Sequence, residues 1–578
     1  METTSQNTLN NEVVKSQLVE CVPNFSEGRD MNIIRQITDS IASVDGVTLI
    51  NVDAGKATNR TVVTFVGTPR EVCEAAFLAV KKASELIDMS KHHGEHPRFG
   101  ATDVLPLIPI SNITMNETIE YARNLAKRIG DELDIPVYCY EMAAFTPQRK
   151  NLADCRAGEY EGLKEKLSKN EWKPDFGRDE FLPKTGAMAV GARNFLIAYN
   201  VNLNTTSVRR ANSIAFDVRE KGRPKRETSS PVSKKVVDEN GKEIWIPGLL
   251  KSVKAIGWFI EEYGVAQISM NLTDIDVTQM HIAFDKVCER ALARGLRVTG
   301  SELVGVVPLK AMLDAGKYFL KKQQRSAGIS DDEIIKIAVK SLGLDELYPF
   351  EPNKKIIEYI LADKAGKKQL IDFSLKKFVN ETASESPAPG GGSISAYMGA
   401  LGAALGAMVA NLSSHKAGWD ERWEEFSNWA EQGKSFMDEL LKKVDEDTDA
   451  FNKIMDAFAL PKKNDKEKQV RKQKIQQATQ SATEIPFSVM QLCYNSMQVM
   501  KAMAETGNPN SVSDAGVGAL AARSGVLGAF LNVKINASGL DDKIYVENIL
   551  AKAQKIADDA CILESEILKI VENKINIK

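Results

Sequence analysis

The sequence predicts a multi-domain chain: two α/β subdomains of ferredoxin-like (βαββαβ) order, followed by an all-α helical bundle. Three observations predict it. First, 578 residues exceed what one hydrophobic core accommodates. Second, β-branched runs alternate with amphipathic helical periods as far as about residue 309. Third, from Leu370 to Ile577 almost every segment carries the helical period.

Leu18 to Phe25 is predicted as a strand, and Met31 to Ser43 as an amphipathic helix. Val47 to Asp53 and Thr61 to Gly67 are β-branched strands joined by a loop. Arg70 to Met89 is a helix, Val104 to Ile110 a strand, Asn116 to Leu133 a helix and Pro136 to Glu141 a strand. This is the split β-α-β pattern. The order recurs with Asn194 to Leu203 (strand), Ser207 to Arg219 (helix), Leu249 to Phe259 and Val265 to Leu272 (strands), Val277 to Arg294 (helix) and Arg297 to Val307 (extended). Within the second unit, the polar Lys221 to Glu243 stretch contains Asn240-Gly241, a hairpin turn signal. Ser330 and Glu333 have capping-box spacing at a later helix start. The resulting boundaries are 1–195 and 196–360 for the two α/β subdomains, 361–369 for a polar linker and 370–578 for the bundle.

Composition excludes several classes. Hydrophobic content of 43% and charged content of 26% are ordinary for a globular chain, and a net charge of −3 gives no basic field for nucleic acid or anionic lipid. Seven scattered cysteines without a C-x-x-C pair point to reduced thiols and a cytoplasmic location. Met1 to Asn11 is polar, so no signal peptide is expected there. Ile394 to Leu412 carries no charge, but its glycines and alanines favour a buried bundle helix over a membrane span.

Three of the five histidines lie in Lys91-His92-His93-Gly94-Glu95-His96-Pro97-Arg98. Imidazoles beside an arginine, in a stretch broken by Gly94 and Pro97, suit proton transfer and carboxylate binding. His92 and His96 also have the spacing of a zinc pair, but Gly94 and Pro97 spoil the helix that would align them; a solvated polar loop is the third reading. Asp53, Asn59 and Arg60 fall together at a strand end, where turn chemistry competes with function. Asp175 to Gly186 mixes aromatics, cations and glycines and could stack a flat heterocycle. Ser386 to Ser393 brings Gly390, Gly391 and Gly392 to a helix start, where backbone N–H groups favour an anion; no P-loop Gly-Lys follows. In Asp445 to Asp449, only Asp447 falls near the apolar stripe of Met437, Leu440, Leu441, Val444, Phe451, Ile454, Met455 and Phe458, while Asp445, Glu446 and Asp449 are expected to point away. A carboxyl facing a core either becomes a general acid or bonds to a neighbouring helix.

Together the runs Leu18–Gly28 (LVECVPNFSEG), Asn59–Val62, Gly94–Arg98, Arg156–Tyr160, Pro174–Gly177 and Ala388–Ser393 resemble the bifunctional formimidoyltransferase-cyclodeaminase family, in its domain order and over nearly the whole chain. The resemblance implies two consecutive reactions. The formimidoyl group of N-formimidoyl-L-glutamate moves to N5 of tetrahydrofolate; N10 then attacks the formimidoyl carbon, ammonia leaves and 5,10-methenyltetrahydrofolate forms. His96 matches the family's catalytic histidine and Asp447 its acidic residue for ring closure. Beyond the resemblance, the residue types themselves make Arg98 and Arg60 candidates for substrate carboxylates, and Asp53 a candidate for orienting an imidazole or the substrate amidine. The family's folate loop corresponds to Gly177, Arg178, Asp179, Glu180, Phe181, Leu182, Pro183, Lys184, Thr185 and Gly186, of which Arg178, Asp179 and Lys184 depart from its pattern. Gly390, Gly391 and Gly392 are folate-binding candidates in the second half. Tetrahydrofolate, plain or polyglutamylated, is the implied cosubstrate, with no metal, in a homo-oligomer of unspecified subunit number. Rival readings are a transferase fused to a methenyltetrahydrofolate cyclohydrolase-like module, and a non-catalytic folate-binding scaffold.

Overall fold

A computed structural model describes residues 17–55, 59–94, 97–228, 233–365 and 369–576. The chain divides into two compact units. One runs through Ala311 and resumes at Leu342–Ala365; the other takes Met312–Ser341 and the C-terminal helices. The expected boundary at 361–369 is therefore crossed by one excursion, because Met312–Ser341 groups with the helical unit. Gly328 shows why: a Cβ there would lie 2.4 Å from the Ala430 backbone, and the adjacent Ala327 N–H donates to Ser427 Oγ at 3.2 Å, so the segment packs against the Trp423–Ala459 helix.

The first sheet contains β1 (Leu18–Cys21), β2 (Asn24–Phe25), β3 (Thr48–Gly55), β4 (Arg60–Gly67), β5 (Thr102–Ser111), β6 (Val137–Glu141) and β7 (Met188–Ala192). β1 and β2 form one interrupted strand that pairs antiparallel with β4 on one side and β5 on the other, and β3 pairs antiparallel with β4. Pro23 sits at the interruption, where a missing N–H cannot serve the ladder. The Met31–Ala42, Pro69–Leu86 and Met115–Leu133 helices bury Ile37, Ile41, Val72, Ala76, Leu125 and Ile129 in a core shared with Val19, Cys21, Val63 and Phe65. On the far side of β5, β7 and β6 add in parallel. The expected order lacked β7. All five of its residues are buried and only Val190 is β-branched, so no alternation marks it.

The second sheet has the order β11 (Val253–Ile260), β12 (Val265–Leu272), β8 (Ile197–Leu203), β13 (Val298–Val304), all antiparallel. Its order matches β3-β4-β1-β5, so the architectural repeat exists in strand pairing. Between its first helix and β11 a ribbon projects: β9 (Arg223–Pro224) pairs with β10 (Trp245–Ile246), and Gly241 turns the chain at φ +76°. Residues 229–232 lie outside the described part.

The helical unit is built from Gly391–Ser414, Trp423–Ala459, Asp465–Thr506, Val512–Ala537 and Lys543–Asn576. Its core contains Ala396, Ala400, Ala403, Leu440, Val444, Met490, Met497, Met500, Ala519, Ala522, Val526 and Ala553. Small residues let the inner helices touch: a Cβ on Gly402 would lie 2.7 Å from the Gly518 carbonyl. Gly391–Ser414 and Pro509–Ala537 are long and apolar enough to cross a membrane, yet they are these packed inner helices. The stripe on Trp423–Ala459 divides. Leu440 and Val444 are fully buried, whereas Phe451, Met455 and Phe458 are exposed.

Candidate functional site

In the α/β unit, the β3–β4 hairpin end meets the histidine loop. Asn59, at φ +47°, is the junction. Its side-chain oxygen accepts from the Gly28 N–H (3.0 Å), its amide donates to the His93 carbonyl (3.1 Å), and its own carbonyl accepts from His92 Nε2 (2.8 Å). The Asp88 side chain starts the preceding turn, Met89–Lys91, by accepting from the Ser90 N–H. Lys184 and Thr185 carbonyls then clamp both flanks, accepting from the Met89 N–H (2.9 Å) and the Ala101 N–H (2.8 Å).

The three histidines have different situations. His92 is buried and held at both ring nitrogens: Nε2 faces a carbonyl and Nδ1 accepts from Arg98 Nε at 3.2 Å. That pattern fits only the neutral ring with its proton on Nε2. Burial lowers its pKa, the Asn59 contact opposes this, and Arg98 adds to the lowering. His93 is exposed and lines a cleft of about 520 Å³ with Gly94, Arg98, Gly158, Glu159 and Glu161. Glu95 and His96 lie outside the described residues, so the assignment of His96 is carried by its flanks.

Arg98 was assigned to a substrate carboxylate, but protein carboxylates already occupy it. Its guanidinium meets Glu161 at 2.8 and 2.9 Å and Glu159 at 3.3 Å, and it donates to the His92 carbonyl. The Glu161 bond raises the arginine's pKa. Arg98 thus buttresses the histidine loop and lines the cleft together with its carboxylate partners. Arg60 lies half-buried beside a second pair, Asp103 and Arg156, joined at Nε by a 3.2 Å bond. Burial lowers the Arg60 pKa, with Arg156 adding and Asp103 and Asp53 opposing. Asp53 is exposed and stands in register with Val62.

The 177–186 loop closes onto the same region. Gly177 (φ +79°) and Gly186 (φ +65°) are required, since a Cβ would lie 2.0 Å from the Ile135 carbonyl and 2.2 Å from the Phe99 carbonyl. Phe181 tilts against Tyr160 at 5.5 Å, and the Tyr160 hydroxyl donates to the Pro183 carbonyl. Gly186 N–H donates to the Leu182 carbonyl at 2.8 Å. The departing residues all have partners within the chain: Arg178 with Asp134, Asp179 with Lys173 and Lys184 with the Glu85 carbonyl. Glu180 is exposed.

In the helical unit, a cavity of about 140 Å³ is lined by Pro387, Ala388, Gly390, Gly391, Gly392, Asp447, Thr448, Phe451, Ile454, Ala482, Asn532 and Asn536, among others. Asp447 therefore lies at a cavity, facing the three glycines. Ser393 Oγ donates to its carboxyl at 3.0 Å, and a Cβ on Gly392 would lie 2.1 Å from Asp447 Oδ1. Burial raises the Asp447 pKa, and the Ser393 side-chain and backbone hydrogen bonds oppose the rise. Asp445 departs from expectation. Instead of pointing away it is half-buried and accepts from the Leu370 N–H at 2.7 Å.

Sequence reasoning missed Glu159 and Glu161, the Asp103–Arg156 pair, Ser393, Asn532 and Asn536. The last two carried a usable signal: two amides four residues apart on a helix made mostly of small and apolar groups.

The geometry defines a class: a chain with one imidazole- and guanidinium-lined cleft on an α/β unit and a separate carboxyl-bearing pocket in a helical unit. Family models match along its length: "Formiminotransferase domain, N-terminal subdomain" over residues 18–193, "Formiminotransferase domain" over 198–362 and "Formiminotransferase-cyclodeaminase" over 374–555. The mouse formimidoyltransferase-cyclodeaminase is 41% identical over 94% of this chain and 97% of its own length. A Streptococcus pyogenes glutamate formimidoyltransferase is 40% identical over 53% of this chain and 94% of its own. A Methylorubrum extorquens methenyltetrahydrofolate cyclohydrolase is 36% identical over 35% of this chain and 98% of its own. The chain belongs to the formimidoyltransferase-cyclodeaminase family.

Proposed function

We propose that this protein transfers the formimidoyl group of N-formimidoyl-L-glutamate to N5 of tetrahydrofolate in the α/β unit. It then closes the ring to 5,10-methenyltetrahydrofolate in the helical unit, releasing ammonia. The observation that carries the second step is the Asp447 carboxyl, raised in pKa by burial and facing a glycine-lined cavity. A carboxyl that keeps its proton longer than usual can deliver it to the departing amine. In the first step His96 relays the proton lost by N5; its described sequence neighbours His93, Gly94 and Arg98 line a cleft with Glu159 and Glu161, which supports this reading. Arg60 and Asp53 stand at the adjoining hairpin end for the substrate's carboxylate and amidine. Phe181 and the 177–186 backbone offer a face for the pterin.

The two α/β halves are assigned the ferredoxin-like fold on their matching strand order. None of the described cysteines forms a disulfide, which supports a cytoplasmic location. Assembly into a homo-oligomer is part of the same proposal. One observation favours a second reading: similarity of the helical unit to a methenyltetrahydrofolate cyclohydrolase. Incubation with N-formimidoylglutamate and tetrahydrofolate separates the readings. Glutamate and ammonia are both expected; glutamate without ammonia would select the cyclohydrolase-like reading.

A further inference from the structure

The helix Asp465–Thr506 contains Pro486 in its interior. Proline has no N–H, so the carbonyl four residues earlier, that of Ala482, loses its intrahelical donor. Ala482 lines the Asp447 cavity, and so does Asn536 on the neighbouring helix. Asn536 Nδ2 donates to the Ala482 carbonyl at 2.8 Å, which replaces the missing bond and holds that amide in one orientation. One turn earlier, Asn532 Nδ2 donates to the Gly528 carbonyl at 3.0 Å, and the Asn532 amide lies 3.5 Å from where a Cβ on Gly391 would stand. In each asparagine that bond uses one of the two N–H donors and orients the amide, leaving the oxygen as an acceptor beside the second N–H.

We infer that Asn532 and Asn536 are substrate-binding residues of the ring-closing site, and that Pro486 acts as a positioning residue by fixing the Asn536 amide with its oxygen available to the cavity. The group recognised is an N–H donor of positive character, the protonated formimidoyl amidine of the folate. Two amide oxygens and the Asp447 carboxyl then surround the nitrogen that leaves. This inference rests on the ring-closing reading of the pocket.

The test uses the full-length protein and 5-formimidoyltetrahydrofolate, with ammonia release as readout, formimidoyl transfer as the control for the α/β unit, and circular dichroism with thermal melting as the control for folding of the helical unit. Asn536→Ala is expected to lower kcat/KM for ring closure by about tenfold to a hundredfold, the range for hydrogen bonds to charged groups, with transfer unchanged. Pro486→Ala restores an N–H that competes for the Ala482 carbonyl. It is expected to lower ring closure while leaving thermal stability equal or higher, and to add nothing on the Asn536→Ala background. Independent, additive losses would overturn the positioning role of Pro486. Unchanged ring closure in Asn532→Ala and Asn536→Ala would overturn the binding role. A wild-type protein that transfers but releases no ammonia would instead overturn the ring-closing reading, and this inference with it.

Discussion

Replacing Gly392 by alanine places a methyl group 2.1 Å from Asp447 Oδ1 and 2.5 Å from its Cγ. Real carbon–oxygen contacts need about 3.2 Å or more, so the carboxyl must move by roughly 1 Å or rotate out of its place. Movement of that size breaks the 3.0 Å bond from Ser393 Oγ, and misplacement by about 1 Å of a reacting group costs on the order of 10²-fold in rate. Stability should change little. Overpacking costs about 1–3 kcal/mol, while alanine gains about 1 kcal/mol over glycine in a helix, so a net loss of about 0–2 kcal/mol is expected. The assay follows ammonia release from 5-formimidoyltetrahydrofolate beside formimidoyl transfer, with thermal melting on the same sample. Ring closure should fall about a hundredfold while transfer and fold persist. Wild-type ring closure by Gly392→Ala would refute a role for Asp447 at its observed position.

Ser393→Ala removes a hydrogen bond that favours the ionised form of Asp447, so its pKa should rise further; as the acid, it should carry the alkaline fall of the ring-closing rate to higher pH. Arg98→Met should destabilise the α/β unit by about 1–2 kcal/mol and impair transfer, because the exposed Glu159 and Glu161 remain solvated while His92 loses its partner; unchanged melting would contradict this. Glu20, buried in β1, has its pKa pushed up to about 7 by desolvation, opposed by Arg193. Its folded value exceeds the unfolded one, so the stability it contributes is full below the ordinary carboxylate range and is lost as pH rises through about 7; Glu20→Gln should flatten the loss in pH-dependent melting. His92 has the opposite sign: its depressed folded pKa gives stability that is present above the ordinary histidine value and lost as pH falls through the folded value, an effect absent in His92→Gln.

Elements with a period were legible. The amphipathic helices at Met31–Ala42 and Pro69–Leu86 and the β-branched β3 and β4 arise from local pattern, and the structure places them within a few residues. β7 was not legible, since its Met-Ala-Val-Gly-Ala run is buried on both faces and carries no alternation. The excursion of Met312–Ser341 into the helical unit was hidden too, because packing partners distant in sequence decide it. At the sites, helical spacing placed Asp447 by the apolar stripe, and the structure puts it at a cavity. Charge pairing escaped that logic. Arg98 reads as a free cation in sequence, yet Glu159 and Glu161 meet it from more than sixty residues away. Asp445 failed for a similar reason: its partner is the Leu370 N–H, outside its own helix.

The most direct test of the two-site division is product analysis of Asp447→Asn with N-formimidoylglutamate and tetrahydrofolate, scoring glutamate, 5-formimidoyltetrahydrofolate and ammonia separately. General acid groups contribute about 10²–10⁴-fold, or about 3–5 kcal/mol of barrier, so the variant should release glutamate at the wild-type rate and accumulate 5-formimidoyltetrahydrofolate with little ammonia. Ammonia release at the wild-type rate, or loss of both products from a folded protein, would contradict the account.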